Sequence, residues 1–185
     1  MQHEFLFAGF GGQGVMFAGQ LLAYAAMDAG QEVTWIPSYG PEMRGGTAHC
    51  FVVMSDRPIG SPIVKFPKAA LVFNRPSFEK YEPLVAPGGL LTVNSSLIPD
   101  HSERTDITVL EVPATSTADE LGSLRIANLV MLGAALAVQP VLSLDALKHA
   151  LEEHIPAHHR NMLPMNFEAV DRGAAIAREQ VAAAP

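Results

Sequence analysis

The stretch Glu4-Phe5-Leu6-Phe7-Ala8-Gly9-Phe10-Gly11-Gly12-Gln13-Gly14-Val15 sets the fold of this chain. Its first five residues are typical of a short buried strand, and the proline-free segment from Val15 to Ala29 is typical of a helix. A strand, a glycine-rich turn and a helix in this order begin a Rossmann-like unit, in which the free N–H groups at the helix start attract an anion.

The residues of the turn are candidate ligand- or interface-binding residues, namely Gly9, Gly11, Gly12, Gln13 and Gly14. We interpret Gly9 as the residue that permits the tight turn. Gly11 would let a ligand or another chain approach the backbone, and Gly14 would let the helix pack closely on the strand.

The rest of the chain continues the alternation of strands and helices. Further strands are predicted at residues 32–36, 47–54, 69–73, 90–93 and 106–112, and helices at 77–84 with Ser77 as cap, from 118, and at 125–138, 144–154 and 165–180. This order predicts one α/β domain over residues 1–180, a Rossmann-like three-layer fold whose mostly parallel sheet has helices on both faces. The strand 47–54 is a candidate antiparallel strand, and residues 181–185 are expected to form a disordered tail.

Composition excludes several functions. With 185 residues, 49% of them apolar, the chain can bury a substantial core, while a net charge of −7 and only 12 Lys and Arg argue against nucleic acid as a partner. A single cysteine, Cys50, excludes an internal disulfide and a cluster held by thiolates of this chain alone. The N-terminus lacks a basic leader and no apolar stretch could cross a bilayer, so we expect a cytoplasmic protein without a membrane segment. The charged fraction of 17% favours a surface that is buried against a partner.

The second predicted strand ends at Ile36-Pro37-Ser38 without a carboxylate. A bound NAD or FAD needs an acidic residue at this place for its ribose hydroxyls, so the absence argues against a dinucleotide. In its place follows the loop Ser38-Tyr39-Gly40-Pro41-Glu42-Met43-Arg44-Gly45-Gly46-Thr47. Large side chains on a loop shaped by glycine and proline suit a ligand site or an interface, with Tyr39, Glu42 and Arg44 as the expected contacts. A plain structural turn is the alternative.

Other polar residues have structural interpretations. Adjacent His49 and Cys50 face opposite sides of a strand, so they do not share a metal. Because Pro156 breaks the helix, we interpret His154, His158 and His159 as solvated. Residues 95–96 and 115–117 are read as caps of strand ends, since no base accompanies them. No catalytic or metal-binding residue is predicted.

Four segments together resemble the gamma subunit of 2-oxoacid:ferredoxin oxidoreductases. They are Gly9 to Gly14, Trp35-Ile36-Pro37-Ser38-Tyr39-Gly40-Pro41-Glu42-Met43-Arg44-Gly45-Gly46-Thr47, Ile59-Gly60-Ser61-Pro62 and Gly88-Gly89-Leu90-Leu91. The resemblance extends over nearly the whole chain, to about residue 175, and is greatest to the separate gamma chains of the 2-oxoglutarate and 2-oxoisovalerate enzymes.

The resemblance implies a role in the oxidative decarboxylation of a 2-oxoacid, with 2-oxoglutarate expected, to its acyl-CoA with reduction of ferredoxin. In that family thiamine diphosphate and Mg²⁺ lie between alpha and beta chains, and iron–sulfur clusters lie in beta or delta chains. The chain is therefore expected to hold no cofactor and to be inactive alone. Its expected partners are alpha and beta chains, with delta a further candidate, and ferredoxin through the complex.

Two roles remain open for the glycine turn. It could contact the pyrophosphate of coenzyme A, or it could be buried against the alpha or beta chain, which we favour. Two other classes of function stay as alternatives: a self-sufficient NAD(P)- or flavin-binding Rossmann oxidoreductase, and a non-enzymatic nucleotide-binding module.

Overall fold

A computed structural model describes residues 1–39 and 47–183. Its strands are β1 (Gln2–Phe10), β2 (Glu32–Tyr39), β3 (Thr47–Ser55), β4 (Ala69–Val72), β5 (Leu90–Asn94) and β6 (Thr108–Val112). Its α-helices are α1 (Val15–Asp28), α2 (Arg75–Tyr81), α3 (Ala114–Glu120), α4 (Ala127–Val138), α5 (Leu144–His154) and α6 (Leu163–Ala183). Short 3₁₀ segments cover Glu82–Leu84, Leu124–Ile126 and Ala157–Met162. In this described part, no helix has the length and apolar character needed to cross a membrane.

All six strands form one sheet in the order β2-β3-β1-β4-β5-β6. Strand β3 pairs antiparallel with both of its neighbours, and the other pairs are parallel. The predicted mostly parallel sheet with an antiparallel third strand is therefore confirmed. Because β3 lies between β1 and β2, the end of β2 is two strand spacings, about 10 Å, from the end of β1.

Side chains of β1 alternate between two cores, one on each face of the sheet. Phe5 and Phe7 belong to a large core with α1, α4, α5 and α6, whereas Leu6 and Ala8 face a smaller core that includes Phe78 of α2. The period of two along a strand produces this division. The predicted three layers, with helices on both faces, are confirmed.

The backbones of helices α4 and α6 are in direct contact where the helices cross. A Cβ atom on Gly133 would overlap the carbonyl of Val170, and one on Gly173 would overlap the carbonyl of Val130. This reciprocal contact lets α4 bury almost its whole circumference, as its apolar sequence predicts.

Several helix boundaries differ from the predicted ones. The side chain of Asn74, rather than Ser77, caps α2, since Asn74 Oδ1 accepts a hydrogen bond from the Ser77 N–H at 2.9 Å. Helix α3 begins four residues early, at Ala114, and α6 extends beyond both predicted ends. Helix α5 has the predicted bounds, and the side chain of Ser143 caps it. The tail prediction for residues 181–185 stays a prediction: α6 includes residues 181–183, and 184–185 lie outside the described residues.

Replacing Gly133 by alanine should destabilise the protein. Overlap of the new methyl group with the Val170 carbonyl outweighs the higher helix propensity of alanine, so we expect Gly133→Ala to lower the free energy of unfolding by about 2 kcal/mol. Urea denaturation followed by circular dichroism measures this change. Gly60→Ala is the control, since a Cβ there would meet nothing within 4 Å. Equal stability of the two variants would contradict the close crossing.

Candidate functional site

The glycine turn and the two ends of the predicted contact loop meet at one edge of the sheet. Phe10, the last residue of β1, pairs with Thr47, the first of β3, and Tyr39 at the end of β2 pairs with Ala48. Ser38 and Thr47 are both exposed. The remaining predicted loop residues lie outside the described residues, so their roles stay predictions: Gly40, Pro41, Glu42, Met43, Arg44, Gly45 and Gly46.

The turn itself depends on two glycines with positive φ. The Gln13 N–H donates to the Phe10 carbonyl at 3.2 Å, which closes a four-residue turn with Gly12 at the third position, where φ is 101°. A type II turn requires positive φ at this position, which favours glycine. Gly14, with φ of 74°, then leads into α1. The tight turn assigned to Gly9 is therefore made by Gly12, and Gly9 lies within β1.

Gly9 instead makes room for the side chain of Gln13. A Cβ atom at Gly9 would lie 2.6 Å from Gln13 Oε1 and 2.9 Å from Phe73 Cβ. Across this gap, Gln13 Oε1 accepts hydrogen bonds from the Phe10 N–H at 2.7 Å and from Asn74 Nδ2 at 3.3 Å, while Nε2 donates to the Phe73 carbonyl at 3.1 Å. The Gln13 amide therefore joins the end of β1 to the end of β4.

This amide occupies the place where open α/β sheets bind their ligands. The chain leaves β1 through α1 on one face of the sheet, and it leaves the neighbouring strand β4 through α2 on the other. Ligands of such sheets enter the crevice at this switch point, outside the carboxyl ends of the strands. Here Gln13 fills the crevice, and the carboxylate-free end of β2 is displaced by β3. Both features count against the dinucleotide-binding alternative.

A second amide joins the starts of α1 and α4. Asn128, which is 2% exposed, donates through Nδ2 to the Gly14 carbonyl at 3.0 Å and accepts from the Leu129 N–H at 2.9 Å. A Cβ atom at Gly14 would overlap the Asn128 amide, so Gly14 makes room for Asn128. The prediction that Gly14 lets the helix pack on a strand was therefore wrong. The sequence contained a signal for this contact, because Asn128 is the one polar residue of an otherwise apolar helix.

A groove of about 430 Å³ runs beside the turn, between the starts of α1 and α4 and the segment from Ile155 to Asn166. Phe17, 39% exposed, stands at its border. The groove is lined by Gly12, Gly14, Phe17, Arg125, Ile126, Asn128, Leu129, Ile155, Pro156, His159, Met162 and Asn166. Its walls are mostly apolar, and Arg125 contributes a positively charged side chain to them. Sequence reasoning did not find Arg125.

His49 and Cys50 lie on opposite faces of β3, as predicted. The His49 ring lies 5.7 Å from that of Tyr81, and burial lowers the pKa of His49. Cys50 lies in the larger core, where burial raises the pKa of its thiol to about 12.

Of the predicted strand-end caps, Ser96, Thr115 and Ser116 are confirmed. Asn94 Nδ2 donates to the hydroxyl of Thr115 at 2.9 Å, and the hydroxyls of Ser96 and Ser116 lie 3.1 Å apart. These side chains hold the end of β5 against the start of α3 and are bonded to one another.

His154 is more constrained than the predicted solvated histidine. Its Nε2 lies 2.9 Å from an oxygen of Asp28, and its ring stacks on Tyr24 at 4.3 Å. His158 and His159 are exposed. Over residues 1–39 and 47–183, no three metal-binding side chains come together.

Known proteins of one family are similar to this chain over most of its length. The family model described as pyruvate ferredoxin/flavodoxin oxidoreductase matches residues 4–176. The chain is 37% identical over 175 residues to the ketoisovalerate oxidoreductase subunit VorA of Methanothermobacter thermautotrophicus, covering 94% of this chain but only 36% of VorA. It is 34% identical over 182 residues to the 2-oxoglutarate synthase subunit KorC of Methanocaldococcus jannaschii, covering 97% of this chain and 96% of KorC.

Solved structures agree. The gamma subunit of a keto/oxoacid ferredoxin oxidoreductase from Geobacter sulfurreducens superposes with a TM-score of 0.81 at 30% identity, over 96% of this chain and 99% of that chain. The 2-oxoglutarate:ferredoxin oxidoreductase of Magnetococcus marinus, solved with 2-oxoglutarate, coenzyme A and succinyl-CoA, gives a TM-score of 0.85 at 27% identity, over 96% of this chain and 31% of that chain. The predicted resemblance is confirmed, and this chain belongs to the pyruvate ferredoxin/flavodoxin oxidoreductase family, with the fold of its gamma subunits.

Proposed function

We propose that this chain is the gamma subunit of a multisubunit 2-oxoacid:ferredoxin oxidoreductase. The complex would convert a 2-oxoacid and coenzyme A to acyl-CoA and carbon dioxide and pass two electrons to ferredoxin. The observation that carries the proposal is the match to a separate gamma subunit over 99% of that subunit's length. The exposed loop ends beside the glycine turn support a docking role for that edge of the sheet.

The substrate we propose is 2-oxoglutarate. Support comes from KorC, which matches over nearly its whole length, whereas this chain spans about a third of VorA. Ketoisovalerate is the competing substrate, because VorA has the higher identity. In this proposal the partner chains contain the pocket that distinguishes the two.

The cofactors of the reaction belong, in this proposal, to alpha, beta or delta chains. A cluster needs several thiolates, and this chain has one cysteine, whose burial raises the pKa of the thiol to about 12. A thiamine diphosphate site needs a metal held by oxygen ligands, and no group of three candidate ligands occurs over residues 1–39 and 47–183. In this proposal we therefore assign the chain no step of the redox chemistry.

For coenzyme A we propose a contact along the groove beside the turn. Its phosphates would meet the N–H groups at the start of α1 and the guanidinium of Arg125, and the methylene and methyl groups of its pantetheine arm would lie along Phe17 and Met162. Binding of coenzyme A in the Magnetococcus marinus enzyme supports this part of the proposal. Burial of the turn against an alpha or beta chain is compatible with it, since the loop at residues 38–47 and the groove flank the turn.

Reconstitution tests the proposed function. The chain alone should reduce no acceptor. Together with thiamine- and cluster-binding partner chains from the same source, it should restore ferredoxin reduction that depends on coenzyme A. Initial rates measured across 2-oxoacids should give the highest kcat/KM for 2-oxoglutarate. If omission of this chain leaves the rate intact, it is not a required subunit, and a higher kcat/KM for 2-oxoisovalerate would replace the proposed substrate.

Arg125→Ala tests the groove. Loss of one charge-assisted contact of about 1.5 kcal/mol should raise the KM for coenzyme A about tenfold in the reconstituted complex, with the KM for the 2-oxoacid unchanged. Arg178→Ala is the matched control, because Arg178 is also exposed but lines a different cavity beside α4 and α5. Equal coenzyme A KM values for the two variants would place the contact elsewhere.

A further inference from the structure

We infer that Gln13 and Asn74 act as a positioning pair, which holds the glycine turn in one conformation and couples it to α2 and the start of β3. The conformational part stands on the geometry of the chain. Its consequence for coenzyme A rests on the function proposed above.

Side-chain amides fix the shape of the turn at both of its ends. Glycine has more backbone freedom than any other residue, and three of the four residues from Gly11 to Gly14 are glycine. Among the described residues, one backbone hydrogen bond closes the turn, from the Gln13 N–H to Phe10. Asn128 holds the Gly14 end through the Gly14 carbonyl, and the three hydrogen bonds of the Gln13 amide restrain the rest of the turn. Because both ends of the amide are bonded inside the molecule, Gln13 acts on a ligand or partner through the turn.

Asn74 uses its amide in two directions. Nδ2 donates to Gln13 Oε1 at 3.3 Å, and Oδ1 accepts from the Ser77 N–H at 2.9 Å, capping α2. The side chain is 5% exposed, so water is largely excluded from these bonds. One amide thus links the turn to the first turn of α2.

Helix α2 extends the link to β3. Tyr81 at its last position is 6% exposed and lies against His49, two residues after β3 begins at Thr47. Because His49 lies next to the end of the 38–47 loop, a displacement of α2 changes the support beneath that end. The glycine turn and the start of β3 therefore share one support, made by Gln13, Asn74 and Tyr81.

The variant Asn74→Asp removes the hydrogen bond from residue 74 to Gln13 but keeps the N-cap of α2. Aspartate caps helices as well as asparagine does, but the new oxygen would face Gln13 Oε1 with no proton between them. In the full chain we expect the amide resonances of residues 11–14 and 47–49 to shift. We also expect the protection factor of the Phe10 N–H, its exchange rate relative to the intrinsic rate at the same pH, to fall at least about tenfold. Lowering the pH should reverse both changes, because protonation restores a donor toward Gln13. Asn74→Ser, which caps but cannot titrate, should show no such reversal.

Ser143→Ala is the matched control, since it removes the N-cap of α5, where Ser143 Oγ accepts from the Ala146 N–H at 3.0 Å. It should leave residues 11–14 unmoved. In an active reconstituted complex, Asn74→Asp should raise the KM for coenzyme A about fivefold at unchanged kcat. The inference is overturned if Asn74→Asp alters only α2 or if its effect does not reverse with pH. An unchanged KM beside altered amide signals would overturn only the proposed contact with coenzyme A. The amide measurements need no partner chain, so they do not depend on the proposed function.

Discussion

The hydrogen bonds of one side-chain amide, Gln13, determine what the first unit of this fold can do. The amide passes close to the Gly9 backbone and forms hydrogen bonds with Phe10, Phe73 and Asn74. These bonds join the ends of the two central strands, β1 and β4. In a nucleotide-binding sheet this crevice stays open for the ligand. Here the Gln13 amide bridges the two strand ends, and a groove lies beside the turn at the start of α1.

The remaining contacts reinforce this arrangement. Asn128 fixes the start of α4 against the start of α1, and the glycine contacts at Gly133 and Gly173 hold α4 against α6. Strand β3 separates β2 from β1 and brings both ends of the 38–47 loop to the edge of the turn. A motif that resembles a dinucleotide site thus becomes an outward surface with a groove, which suits a subunit that works inside a larger complex.

Local patterns predicted much of this fold. Alternation and helical periodicity located the strands and most helices, and the missing carboxylate after Ile36 counted against a dinucleotide before the sheet order was known. The sequence could not predict that Gln13 reaches β4, because Phe73 and Asn74 are sixty residues away along the chain. The roles predicted for Gly9 and Gly14 were wrong because long-range packing decides them. The space that a Cβ atom would need is taken by Gln13 and Phe73 at Gly9 and by Asn128 at Gly14. Arg125 lies in the 3₁₀ segment just before α4 and lines the groove because of how α4 packs. No local sequence pattern predicts this packing.

In the function proposed here, the edge of the sheet that carries the glycine turn docks into an oxidoreductase complex. Hydrogen–deuterium exchange of the chain, alone and after assembly with the proposed thiamine- and cluster-binding partners, measures this docking. We predict that protection on assembly will be greatest at residues 9–17 and 38–48. Protection confined to the opposite edge of the sheet, at residues 56–68, or no protection at the turn would show that a different surface docks.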